Sequence, residues 1–184
     1  MSTGRSNKLA CQIGEHLVCA ELGKRGIIAT PFSGNVPAFD ILAADEQCRT
    51  VPIQVKASRS DSWASQATDW MEISLDGISK TQKYLGPKEI LNPALIYVCV
   101  AIAPPTDEVK DKTSKDRFFI LTKEQLRDVC IRGYSAWMNR HEWKRPKNHE
   151  SYDCRYLISI LKTMKTTGAS SPNNCVSLPF SFSN

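Results

Sequence analysis

A chain of 184 residues and 20.6 kDa is one ordinary domain long, enough to bury roughly 70% of its unfolded surface without disulfide staples. With 41% hydrophobic and 23% charged residues it is neither disordered nor fibrous, and 24 Lys and Arg against 19 Asp and Glu leave a net charge of +5 that suits a phosphate-bearing partner. No apolar run approaches the ~20 residues of a membrane helix, and the polar start MSTGRSNK lacks a signal peptide's apolar stretch, so a cytoplasmic protein that engages no membrane is expected.

The first predicted element is a helix over residues 6–25, with Ser6 or Asn7 as cap and Gly26 as stop. It carries two apolar stripes, Leu9, Ile13, Leu17 and Ala20 on one and Cys11, Val18, Cys19 and Leu22 on the other, as a helix wedged between neighbours would. Gly14 inside it implies close packing at that point, since glycine otherwise costs a helix roughly 1 kcal/mol relative to alanine. Residues 27–30 predict a short strand, and residues 33–37 carry the turn residues of a loop. Two alternating runs, 38–44 and 51–58, predict a β-hairpin around the polar stretch from Asp45 to Arg49. Residues 59–93 are irregular, with a strand over 70–75 and a helix over 78–85. The continuous apolar run 95–102 predicts a central buried strand, Pro104-Pro105 ends it, and residues 106–116 form a charged loop. A strand over 118–121 leads into a helix to about Ile131, with Thr122 as cap and Gln125 completing a capping box. A mixed aromatic and basic region over 133–153 and a final element over 156–164 follow. Residues 166–184, rich in Ser, Asn and Pro, are expected to be a loosely ordered tail behind a single domain over residues 1–165. The expected fold class is α/β, layered on a central mixed β-sheet.

The hairpin carries the most informative arithmetic. Side chains alternate between faces, so Gln54, Lys56 and Ser58 share one side of their strand and Asp40 takes the corresponding side of the strand before. If the hairpin is centred on Gln47, paired positions sum to 94; Asp40 then lies opposite Gln54, with Lys56 a diagonal neighbour. A slip of one residue would destroy the arrangement. Glu15 adds a fourth group: it shares the stripe of Cys11, Val18, Cys19 and Leu22, where a carboxylate needs a partner such as Lys56 or a metal ion. This set suits phosphodiester hydrolysis. A hard divalent cation on oxygen ligands would neutralise the phosphate and lower the pKa of a bound water, and a lysine would orient that water. Asp40 would be the direct ligand, with the Gln54 amide oxygen, the Val55 carbonyl and Glu15 completing the set.

Gly14-Glu15 on a helix, Asp40 within Ala38-Phe39-Asp40-Ile41, and Ile53-Gln54-Val55-Lys56 on the next strand resemble the PD-(D/E)XK nuclease superfamily of restriction endonucleases, Holliday junction resolvases and Mrr-like enzymes. The motifs cover residues 8–58. Pro37 stands three residues before Asp40, and Gln54 stands where Glu or Asp is usual, as in Mrr-like members. The resemblance implies a restriction-endonuclease-like core in αβββαβ order, with helices flanking the sheet. It implies a DNA endonuclease or DNA-processing hydrolase dependent on Mg²⁺ or Mn²⁺, with Glu15, Asp40, Gln54 and Lys56 catalytic and double-stranded or branched DNA as partner. Many members act as dimers, so a homodimer is implied too. Ser33, Asn35, Ser58, Arg59 and Trp63 are the candidate DNA contacts.

Two other classes compete. A catalytically inactive DNA-binding module could keep this fold, with Gln54 marking weak metal affinity. A protein-interaction component of toxin or immunity type could instead use the basic stretch from Arg140 to Lys147 against an acidic partner. Cys130, His141, His149 and Cys154 have zinc-ligand chemistry, but their spacings fit no standard zinc pattern, and the seven cysteines contain no CxxC pair.

Overall fold

The computed structural model of the chain describes residues 4–32, 38–104 and 115–157. It is an α/β structure with two helices and a mixed central sheet among those residues. The described residues gather into two compact units. The first comprises residues 4–61 and 92–123, the second residues 62–91 and 124–157.

Helix α1 (Gly4–Gly23) opens the first unit, starting ahead of the expected cap so that Ser6 and Asn7 lie in its first turn. It stops where Gly26 takes a φ of 75°, a conformation glycine adopts without steric penalty, and the Ile27 N–H turns back to the Leu22 carbonyl at 3.1 Å. Strands β1 (Ile28–Pro31), β2 (Ile41–Ala44) and β3 (Thr50–Ser58) follow; strands β4 to β6 belong to the second unit. Strands β7 (Ile96–Ala101) and β8 (Arg117–Thr122) complete a five-stranded sheet in the order β1-β2-β3-β7-β8. All neighbours are antiparallel except β3 and β7. A parallel pair needs a crossover of about a dozen residues or more, usually helical. Here the crossover between Ser58 and Ile96 contains three strands, a short 3₁₀ turn and no α-helix. The expected αβββαβ order is therefore not the order the chain forms.

Val18 and Leu22 of α1 pack with Ile41, Ile53, Val55, Val98 and Val100 of the sheet, each of them buried. Burial of such side chains stabilises by about 1.5–3 kcal/mol apiece. Leu17 and Cys19, one from each stripe of α1, pack against this core, while Leu9 is 49% exposed and Cys11 and Ala20 are exposed. Gly14 is the point of closest approach. A Cβ there would overlap the Ala57 Cβ and lie 3.4 Å from Val55 Cγ1. The absent side chain lets α1 settle on β3 and carries Glu15 toward the same strand.

The second unit contains β4 (Ser62–Gln66), β5 (Met71–Leu75), β6 (Gln82–Pro87), helix α2 (Lys123–Asn139, its first residue in the first unit) and β9 (Asp153–Leu157), with β4 paired to β9 and β5 to β6. The helix expected over 78–85 is instead a turn and a strand. Asp76 Oδ1 accepts the N–H groups of Ile78 at 2.7 Å and Ser79 at 3.0 Å, a local bond that competes with helix formation. Helix α2 starts directly after Thr122 as expected but runs eight residues beyond Ile131, because Tyr134 and Met138 continue the buried stripe of Leu126, Val129 and Cys130. The final element expected over 156–164 is β9 as far as Leu157. Its remainder and the tail over 166–184 lie outside the described residues.

A buried amide holds the second unit together. Gln82 is 1% exposed; its Nε2 donates to the carbonyls of His149 and Ser151 at 2.9 and 3.0 Å, and its Oε1 accepts from the Tyr134 hydroxyl at 2.6 Å. Among the described residues no helix is long and apolar enough to cross a membrane.

Gly14→Ala is expected to lower stability by about 1–3 kcal/mol through overpacking, read by urea unfolding, with Ala57→Gly in the same chain recovering part of the loss. Gln82→Leu is expected to cost about 3 kcal/mol, because a buried hydroxyl and two carbonyls lose their partner together.

Candidate functional site

The β2–β3 hairpin has the register that sums to 94: Ile41 faces Ile53, Leu42 faces Pro52 and Ala43 faces Val51. Its turn is fixed by Asp45, whose Oδ1 accepts the N–H groups of Gln47 and Arg49 at 3.0 and 2.9 Å and whose Oδ2 takes the Arg49 guanidinium at 2.6 Å. Arg49 thus pairs with Asp45, which leaves Asp40 to the strand ahead of it. The Asp40 N–H extends the pairing by donating to the Ile53 carbonyl at 2.9 Å, and the Asp40 carbonyl accepts the Phe32 N–H at 2.9 Å. Phe32 and Phe39 meet edge to face, 5.3 Å between centroids.

This register brings the side chains together. Asp40 Oδ2 accepts two donors from β3, the Gln54 amide Nε2 and the Val55 N–H at 2.7 Å. Asp40, Gln54 and Lys56 are all half-buried, and Val55 between the latter two is buried in the core. Lys56 forms no ion pair with Asp40 or Glu15 among the described residues, yet its positive charge acts on Asp40. Burial pushes the Asp40 carboxyl above its ordinary pKa of 3.8, against the pull of the Val55 N–H, the Lys56 charge and the Gln54 amide. Glu15, one residue after the close contact at Gly14, is also raised, first by burial and then by the negative charge of Asp40, with His16 opposing. The four residues share one electrostatic neighbourhood.

Cys11 belongs to it as well. Its thiol is raised by burial, then by Glu15 and Asp40, and lowered by Lys56. It precedes Glu15 by one helical turn, so the spacing that places Glu15 also places Cys11. Ser58 and Arg59 follow at the end of β3, where Ser58 Oγ accepts the Ser60 N–H at 3.0 Å and Arg59 is exposed. Trp63 does not join them as a surface contact: it is 3% exposed, in the second unit, and stacked on Tyr156 at 5.9 Å. Ser33 and Asn35 lie outside the described residues. Cys130 and Cys154 are buried beside each other in the second unit with a thiol–thiol hydrogen bond, while His141 packs on Trp137 at 4.5 Å.

Among the described residues no three His, Cys, Asp or Glu side chains are grouped to hold a metal ion. The oxygen donors at the site are the two carboxylates of Glu15 and Asp40, the Gln54 amide and backbone carbonyls. Asp40 Oδ2 is occupied by its two donors, and no donor reaches Oδ1 among the described residues.

Both carboxyls bind protons more tightly in the folded chain than in the unfolded one, so their contribution to stability falls as pH rises from the ordinary values of 3.8 and 4.5 through the raised ones. Glu15→Gln is expected to be more stable than the parent at neutral pH, with the advantage gone below pH 4.5. In Asp40→Asn the Glu15 carboxyl, followed by NMR titration, is expected to move back toward its ordinary value. No protein-family model, no curated protein and no solved structure matches the chain.

Proposed function

We propose that the first unit is a metal-dependent phosphodiesterase site of the PD-(D/E)XK type, acting on DNA. The observation that carries this reading is the interlock of Asp40 with Gln54 and Val55 on the neighbouring strand, with Glu15 and Lys56 in the same electrostatic field. The donor set fits a hard divalent cation, Mg²⁺ or Mn²⁺: it is all oxygen, and two carboxylates whose charge is disfavoured by burial would both gain from a positive ion. Asp40 through Oδ1 and Glu15 would hold it, with the Gln54 amide oxygen available after rotation of the amide. When bound, such an ion lowers the pKa of a coordinated water and neutralises phosphate charge.

The remaining chemistry falls to the chain. Lys56 places an ammonium near Asp40, where it orients the attacking water and offsets negative charge on the phosphoryl oxygens. The water oxygen bonds to phosphorus and releases a proton to solvent, the ester P–O bond breaks, and the leaving alkoxide takes up a proton from solvent. The β3 backbone keeps Asp40 fixed throughout, because its Oδ2 stays bonded to the Val55 N–H.

A second reading is supported by the Gln54 amide, which already donates to one oxygen of the Asp40 carboxylate without a metal. On that reading the unit is an inactive DNA-binding module. Plasmid and branched DNA incubated with the pure protein in Mn²⁺ separate the two. Cleavage is expected, reduced roughly 10²-fold or more in Lys56→Ala, and calorimetry is expected to detect Mn²⁺ binding that Asp40→Asn removes. Gln54→Glu is expected to tighten Mn²⁺ binding by adding a formal charge. Absence of both cleavage and Mn²⁺ binding would decide for the inactive module.

A further inference from the structure

The second unit contains an open cleft of about 1020 Å³ between the β5–β6 hairpin and the turn that follows α2. Tyr84 and Trp143 form its aromatic lining, their ring centroids 6.4 Å apart and their planes 25° from parallel. Asp76, Ile78, Lys83 and Glu142 also line it. Ile78 is 97% exposed, an unusual position for a large aliphatic side chain.

The tryptophan is held in place by the backbone. Glu142 and Trp143 take φ values of 51° and 58°, a left-handed conformation that disfavours a bulky side chain. Three hydrogen bonds offset that cost. The Trp143 N–H donates to the Met138 carbonyl at 2.8 Å, its carbonyl accepts the Gln82 N–H at 2.8 Å, and its indole N–H donates to Asn139 Oδ1 at 2.7 Å. The result is a rigid, half-exposed indole at a cleft wall. Arg140, Lys144 and Lys147, all exposed, flank it in the chain.

We infer that this cleft binds an unpaired nucleobase, so that the DNA engaged by the protein carries single-stranded or unstacked nucleotides. Aromatic faces supply stacking that any base can use. The carboxylates of Asp76 and Glu142 repel phosphate but accept hydrogen bonds from the N–H edges of bases. Lys83 in the lining and the exposed basic residues that flank Trp143 in sequence match the sugar–phosphate strand that must run past it. The choice of DNA over RNA rests on the phosphodiesterase reading of the first unit; the stacking site itself does not.

The test is fluorescence anisotropy with a labelled single strand of about 15 nucleotides, and with the same sequence as duplex, in EDTA so that cleavage is silent. The single strand is expected to bind roughly tenfold tighter than the duplex, and Tyr84→Ser and Trp143→Ala are each expected to weaken it roughly tenfold. Should Trp143→Ala fail to fold, Ile78→Asp, which places a negative charge on an exposed side chain of the cleft, carries the same expectation. Equal affinity for single strand and duplex would overturn the inference, as would wild-type binding by Tyr84→Ser and Ile78→Asp. Self-association that Ile78→Asp abolishes, with single strands unbound, would mark the cleft as a protein contact and overturn it too. Binding retained without any cleavage in Mn²⁺ leaves this inference standing and removes only the phosphodiesterase reading; cleavage retained without single-strand preference does the reverse.

Discussion

The candidate site depends on the register of one hairpin. Strand side chains repeat every two residues, so a one-residue slip between β2 and β3 would send Asp40 and Gln54 to opposite faces. Two things pin the register: the Asp45 carboxylate clamps the turn through Arg49 and two backbone N–H groups, and Ile41, Ala43, Val51 and Ile53 are buried on the core side. Asp40 adds its own bonds to β3, so the residue that benefits from the register also reinforces it. The missing side chain at Gly14 then brings the helix close enough for Glu15 to feel Asp40.

That convergence runs against stability. Burial disfavours the charge of both carboxyls and Asp40 adds to the cost at Glu15, while the Lys56 charge offsets part of it at Asp40. A structure selected for stability alone would place uncharged groups there. The Gln54 amide is uncharged, and it spares the site a third carboxylate charge.

How much was legible follows from how local each signal is. The hairpin could be read because alternation, turn residues and the position of Gln47 all agree within twenty residues. Gly14 could be read as a close contact because glycine in an otherwise regular helix has few other justifications. Parts of the second unit resisted reading for the opposite reason. Its strand Ser62–Gln66 is too short and polar to announce itself, and its interior is organised around Gln82, a residue type expected at the surface. Residues 78–85 have enough helix formers to suggest a helix, but the hydrogen bonds of Asp76 to the next turn prevail. Trp63 was placed beside the site by its sequence distance from Lys56, whereas it lies in the interior of the other unit.

The parallel pairing of β3 with β7 has a consequence for how this chain can assemble. Ser58 and Ile96 are joined through a stretch that belongs to the other unit, and α2 leads the chain into that unit a second time. Neither unit is a continuous piece of sequence, so neither can emerge complete before the other has begun. Such interleaving raises the mean sequence separation of native contacts, the quantity that slows folding most among small proteins. It also couples the fate of the two halves during synthesis: β3 waits for its parallel neighbour until the residues of β4, β5 and β6 have already been made.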